Sequence, residues 1–362
     1  MTELMQASTE WMKRPSDERF LSLPAMSEHL DHLRANSRAV IVPNRKINVR
    51  PMNDHRGLSI EGPSGAGYNA THWAFGQLAS LASAPAGYLR KLPAELTADC
   101  LNYGLHIQRN VEETGLLLSK NGVSSLRAAT GPNYGRIWNA DIVHQLMDRF
   151  GDGVTGDWRV PGEFGKAVTI SKSNTTLYAS DRDMFVFLAD EKNRIEVPDR
   201  RNGESGMMAR GFFVWNSEVG SATLGIKTFL FDYACCNRIV WGAEGVKEIK
   251  IRHTSGAPDR WLEEVEPALE RYAAGSVTGV VKAIADARAY RIADKLDAFL
   301  TERFGKGLVE AIKEMHVEEE GRPIETLWDV TTAATAYART IPYQDERVDL
   351  ETKAGAVMAL AA

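Results

Sequence analysis

The stretch Gly211-Phe212-Phe213-Val214-Trp215-Asn216-Ser217-Glu218-Val219-Gly220-Ser221-Ala222-Thr223-Leu224-Gly225-Ile226-Lys227-Thr228-Phe229-Leu230 sets a polar break between two apolar runs. The runs 211–215 and 223–230 are rich in aromatic and branched residues, which predicts strands. Asn216, Ser217 and Gly220 are turn formers, so a hairpin turn with side-chain caps is the plain expectation for the break. A polar site around Glu218 is the sharper one. Strand side chains alternate faces, so Phe212 and Val214 point away from Phe213 and Trp215, and one pair at most is free for a ligand.

Working outward, strands are predicted at 166–170 and 184–188, and Asn121-Gly122 between apolar runs predicts a β-hairpin over 115–128 with positive φ at both turn residues. An amphipathic helix over 137–150 follows. Together these strands suit one mixed or antiparallel sheet. The charged run Pro198 to Gly206 between two strands reads as an exposed, mobile loop. Upstream, a helical pattern with Ser27 as N-cap leads to a short strand at 39–43. A glycine-rich loop over 53–67 comes next, then two or three short helices over 71–101, broken by Pro85 and Pro93. From Trp261 onward the periodicity is helical: 284–304, then 308–315 beyond Gly305 and Gly307, then 327–337 with Thr326 as N-cap. The expected class is α+β, with a central mixed or antiparallel β-sheet, flanking helices and a helical C-terminal region. Segments 1–70, 71–252 and 253–362 are the expected divisions.

A chain of 362 residues, 44% hydrophobic, can bury a sizeable core without staples. The net charge of −5 gives no global footprint for nucleic acid or an anionic membrane. Acidity concentrates after residue 252, where twenty acidic residues face thirteen basic ones, so an anion-binding surface belongs to the earlier part. Three cysteines, two of them adjacent, make no disulfide framework and suit a reducing cytoplasm. No signal-like apolar segment opens the chain and no run of membrane-spanning length occurs, so no membrane partner is expected.

Searches for chemistry return little. His29 and His32 share a helical face but lack a further ligand, so no metal and no cofactor is expected. Cys235 and Cys236 read as small core hydrophobes rather than a nucleophile. No nucleophile elbow, zinc-protease motif or Walker loop is present, and Glu218, Asp232 and Glu244 have no deducible convergence.

Three segments carry a family resemblance. The first is Pro85-Ala86-Gly87-Tyr88-Leu89-Arg90-Lys91-Leu92-Pro93 with Leu101-Asn102. The second is Leu126-Arg127-Ala128 with Tyr134. The third joins Asn216 through Ser221 to Cys236-Asn237, Val240-Trp241-Gly242 and Arg252-His253-Thr254. Thr326-Leu327-Trp328 and Ala354-Gly355 add to them. With these the chain resembles the phage/plasmid-like family labelled domain of unknown function 932. Where this chain has Glu218-Val219-Gly220, members often carry His-Asp-Gly, so no role of that histidine transfers. The resemblance implies a mobile-element setting rather than a reaction.

That setting raises the expectation of a non-enzymatic accessory protein that binds or anneals single-stranded DNA. Phosphate contacts are expected from Arg127, Arg136, Lys166, Lys172, Arg182, Arg200, Arg201, Arg210, Lys227 and Arg238, with Tyr134 among the stacking aromatics. Two alternatives stay open. One is an enzyme or inhibitor acting against host defence through a polar pocket around Asn216, Glu218, Asn237 and His253, within the polar motif that also holds Ser217 and Gly220. The other is a structural protein that forms a homo-oligomer through its acidic C-terminal helices.

Overall fold

The computed structural model describes residues 16–54, 57–62, 65–107, 112–161, 170–172, 175–200, 204–233, 237–239, 249–292, 295–341 and 344–361. Its strands are β1 (Arg19–Phe20), β2 (Ser37–Pro43), β3 (Val49–Pro51), β4 (Leu58–Glu61), β5 (Gly67–Ala70), β6 (Glu113–Asn121), β7 (Val123–Thr130), β8 (Trp158–Arg159), β9 (Leu177–Ala179), β10 (Met184–Asp190), β11 (Ile195–Arg200), β12 (Glu204–Asn216), β13 (Leu224–Asp232), β14 (Asn237–Ile239) and β15 (Ile249–Ile251). The helices are α1 (Leu23–Ala35), α2 (His72–Leu81), α3 (Ala86–Leu89), α4 (Ala94–Ile107), α5 (Asn139–Phe150), α6 (Ala257–Arg260), α7 (Glu266–Ala274), α8 (Thr278–Ala289), α9 (Leu296–Phe304), α10 (Val309–Glu320), α11 (Leu327–Ala338) and α12 (Gln344–Met358). The class is α+β, with a helical C-terminal region.

The two runs around the polar break become β12 and β13, paired antiparallel from Trp215 opposite Gly225 to Met208 opposite Asp232. They sit inside a large antiparallel sheet of order β1-β9-β10-β12-β13-β14, with β8, β11 and β15 attached to β10, β12 and β13. Every residue of β10 is buried, because both sheet faces are covered. One face sends Val186, Leu188, Phe212, Val214 and Ile226 into a core with Leu23, Met26 and Leu30 of α1 and Ile142, Val143 and Leu146 of α5. The other carries Phe185, Phe187, Phe213, Phe229 and Phe231, joined by Val348 of α12. Phe187 and Phe213, directly opposite in register, stack with centroids 4.7 Å apart.

The expected single sheet is in fact two. The Asn-Gly hairpin belongs to a smaller mixed sheet of order β2-β6-β7-β5-β4-β3, in which β5 and β7 are parallel. Helices α2 to α4 cover it with Phe75, Leu78, Leu89 and Leu101. A division at residue 70 would cut this sheet, since β5 ends there and pairs with β7. At the hairpin tip only Gly122 takes positive φ, 68°, while Asn121 stays in β6 opposite Val123.

Other expectations shift for physical reasons. The N-cap of α1 is Ser22, whose hydroxyl accepts from Ala25 N–H, while Ser27 is buried inside the helix. The glycine-rich run hides β4, which alternates buried Leu58 and Ile60 with more open Ser59 and Glu61. The loop expected at 198–206 is largely the β11–β12 hairpin, pinned by buried Ile195 and Val197 against the C-terminal helices; residues 201–203 lie outside the described residues. The helix expected over 284–304 is broken between α8 and α9, where Arg291 bridges to Thr326. Helix α12 was not expected: its buried residues face two clusters, Val348 toward the aromatic face and Leu350 and Ala354 toward α11, so no single apolar stripe marks it. The strand expected at 166–170 falls almost wholly outside the described residues, as do Cys235, Cys236 and Val240-Trp241-Gly242.

Thr326 caps α11 as expected, in a capping box with Asp329: its hydroxyl accepts from Asp329 N–H, and the Asp329 carboxylate accepts from Thr326 N–H at 3.0 Å. Thr326→Ala is expected to cost about 1 kcal/mol in a urea melt. No change in midpoint would show that the box adds nothing. No described helix is long and apolar enough to cross a membrane.

Candidate functional site

The polar break lies on the seam between the two sheets, and each of its residues has a different partner. Asn216 donates from Nδ2 to Ile137 O (2.9 Å) and Asn139 Oδ1 (2.7 Å), fixing the entry to α5. The Ser217 hydroxyl donates to Arg182 O (2.7 Å) and accepts from Ser221 N–H (3.0 Å). Val219 is fully buried, and its carbonyl accepts from Trp73 Nε1 (3.0 Å) and Gln77 Nε2 (2.7 Å), both on α2. Gly220 turns the chain at φ 84°, a conformation side chains resist.

Glu218 holds the two sheets together electrostatically. Its Oε1 accepts from Asn139 N–H (2.9 Å) at the start of α5, where the helix dipole favours a carboxylate. Its Oε2 lies 2.8 Å from Arg127 Nη2, with both side chains no more than 3% exposed. The contact is ionic more than directional, because Oε2 has no well-aligned hydrogen bond. The guanidinium also donates to Ser37 Oγ (3.1 Å) and Asp181 O (3.2 Å). Local backbone explains how Arg127 gets there. Leu117 pairs with Ala128 and Leu118 with Leu126, so Arg127 is the extra residue of a bulge in β7. Bulges re-aim a side chain, and this one aims a cation across the seam.

Tyr134 completes the cluster. Its hydroxyl donates to Ser217 O (2.8 Å), and its ring stacks on His253 at 4.8 Å and lies under the Arg136 guanidinium at 5.2 Å. Burial pushes the phenol well above its ordinary range and the His253 imidazole below its own, so neutral forms of both are favoured. His253 Nδ1 lies 3.1 Å from Gly135 O. Six residues from the two expected sites, Arg127, Tyr134, Ser217, Glu218, Gly220 and His253, thus share one cluster, with Asn216 and Arg136 beside them. Chemically it is a set of anchors: both Glu218 oxygens are occupied, and Arg127 is shut away from solvent.

Two expected phosphate contacts are therefore corrected. Arg127 is 2% exposed, and Arg210, 3% exposed, is ion-paired with Asp190. A phosphate cannot reach either, and both cations are already neutralised. Lys172 is exposed, with Nζ donating to Ser16 O. Lys166 and Arg201 lie outside the described residues, as do the side chains of Arg200, Arg238 and Asn237, although the backbones of the last three lie in β11 and β14. Of the aromatics, Phe212 is core, packed 4.8 Å from Phe150 and 5.3 Å from Trp158.

What the structure does gather is a depression of about 270 Å³ on the second face of the large sheet. Phe185, Phe213, Trp215, Arg182, Lys227 and Lys250 line it, with Asp183 and Asp349 also contributing. Trp215 is partly buried and lies over Gly225, where a Cβ would fall 1.9 Å from the indole. Arg182 is among the expected cations; Lys250 was missed because only the pairing of β15 with β13 brings it beside Lys227. No family model, curated protein or solved structure matches the chain.

Proposed function

We propose that the protein is a non-enzymatic accessory factor that binds single-stranded nucleic acid, DNA in the first instance, in the depression around Trp215. The observation that carries it is the lining itself: the partly exposed Trp215 indole, floored by buried Phe185 and Phe213, beside Lys227, Lys250 and Arg182, the last 3.4 Å from Asp183. A single strand needs a π-face for its bases and cations for its backbone, and such sites are sequence-tolerant because every base can stack. The resemblance to a phage/plasmid-like family supports a mobile-element setting, in which displaced single strands are common substrates.

Fluorescence anisotropy of a labelled oligo-dT across a salt series tests this. Affinity should fall steeply with salt, with a log–log slope of about −0.7 per phosphate neutralised. Trp215→Ala should weaken binding by about tenfold, the worth of one stacked base. Changing Lys227 and Lys250 together to Gln should make the slope shallower by about 1.4, that is two phosphate contacts. Absence of binding at low salt, or a slope untouched by the lysine changes, would sink the proposal.

A further inference from the structure

A cavity of about 330 Å³ opens at the end of the smaller sheet, beside the C-terminal end of α1; Asn36, Arg38, Val40, Tyr68, Leu118 and Lys120 are among its lining residues. The strand register explains the mixture. Arg38 on the edge strand β2 lies opposite Leu118 of β6, and Val40 and Lys120 stand two residues from them on their own strands, so all four project from one face. Further along, α2 to α4 cover that face; here it is open and carries two cations over an apolar floor.

Tyr68 points to a ligand. It is 5% exposed, yet its hydroxyl makes no hydrogen bond among the described residues and is not sealed from solvent. A buried phenol ordinarily finds a partner, so a hydroxyl open to the cavity that its ring lines marks the place of an acceptor the chain does not supply. Neither Arg38 nor Lys120 makes an ion pair among the described residues, and no carboxylate lines the cavity. The end of α1 brings only the partial negative charge of its dipole. Its His32 and Leu33 carbonyls are already taken, by Asn36 Nδ2 (2.8 Å) and Ser37 Oγ (2.7 Å), and two full cations outweigh what remains.

We infer that this cavity binds a small phosphate monoester, its phosphate between Arg38 and Lys120 with the Tyr68 hydroxyl donating to it, its body against Val40 and Leu118. Two cations match the roughly two negative charges of such a phosphate near pH 7, where a carboxylate carries one. Arginine adds paired donors in one plane, and lysine a point charge on a flexible stem. The volume suits the lower end of small-molecule sites, and the depression around Trp215 lies on the other sheet.

Isothermal titration of the full chain with phenyl phosphate tests this, with benzoate as the singly charged analogue and phenol and inorganic phosphate as its halves. Phenyl phosphate should bind with a dissociation constant below about 1 mM, and the other three about tenfold more weakly or worse. Tyr68→Phe should cut affinity about tenfold yet melt no lower than the wild type, because the hydroxyl has no partner within the chain to lose. Arg38→Gln and Lys120→Gln, both on exposed side chains, should each cost about tenfold as well. Trp215→Ala should leave phenyl phosphate within about twofold, so that this site and the strand-binding depression can fail separately. Cations that merely guard an edge strand would instead lower solubility when replaced and leave binding intact. That result overturns the inference, as does failure of phenyl phosphate to bind, or benzoate or inorganic phosphate binding as tightly. So does affinity that Tyr68→Phe leaves intact, a clearly lower melting temperature for that variant, or loss of binding in Trp215→Ala.

Discussion

Replacing Arg127 by methionine is expected to lower unfolding free energy by about 3–5 kcal/mol, because it leaves the Glu218 carboxylate buried without its cation. Glu218 keeps one hydrogen bond, from Asn139 N–H, but that bond cannot offset the desolvation of a full charge at 3% exposure. Ser37 Oγ and Asp181 O lose their donors as well, so the damage spreads to both sheets. The double variant Arg127→Met with Glu218→Gln should recover most of the loss, since a neutral amide oxygen still accepts from Asn139 and no charge is stranded. Urea melts of the wild type, both single variants and the double variant measure the coupling directly. A small loss in Arg127→Met, under about 1 kcal/mol, would mean that the pair is solvated and the seam is held by apolar contacts alone. Those contacts are modest in extent: Leu117, Ala128 and Val219, with Trp73 and Trp138 beside them.

The sequence made the elements legible and their assembly much less so. The runs at 184–188, 211–215 and 223–230, the helix at 137–150 and the cap at Thr326 were readable because each carries a local periodicity or a local bond. That the Asn-Gly hairpin belongs to a separate sheet was not readable, since it depends on which strands find each other across large sequence distances. The polar break was recognised as a turn with side-chain caps, and that is how Ser217 and Gly220 behave. Its deeper role could not be seen, because it rests on a one-residue bulge that re-aims Arg127. Basic residues in a strand look alike in sequence whether they face solvent or a buried carboxylate. Arg127 and Arg210 are of the second kind, whereas Lys227 and Lys250 line an open depression.

Arg210 supplies the second large effect, and it distinguishes an anchor from a ligand contact. All five of its N–H donors are used: Nε and one from Nη2 on Asp190 Oδ2 (3.1 and 3.0 Å), the other from Nη2 on Ala273 O (2.8 Å), and the two from Nη1 on Tyr272 O (2.9 Å) and Gly275 O (2.6 Å). The three carbonyls close the C-terminal end of α7, where the last backbone acceptors run out of helical donors, Tyr272 O keeping only Gly275 N–H at 3.2 Å, and where the dipole favours a cation. Tyr272 returns the connection by donating its hydroxyl to Gly211 O (3.0 Å), next to Arg210 in β12. Arg210→Met therefore leaves Asp190, 1% exposed, without its cation and takes the donor from Ala273 O and Gly275 O, while Tyr272 O keeps Gly275 N–H at 3.2 Å, for an expected loss of about 3–5 kcal/mol. Arg210→Lys should rescue little, because one ammonium with three donors cannot span a carboxylate and a helix end at once. If the residue were a phosphate contact, the ordering would reverse: lysine would restore nucleic-acid affinity, and methionine would cost affinity and salt dependence while sparing stability. Paired urea melts and anisotropy titrations of the two variants decide between these. The buried geometry requires the melts to move and oligonucleotide affinity, measured where the variants remain folded, to stay within about twofold of the wild type.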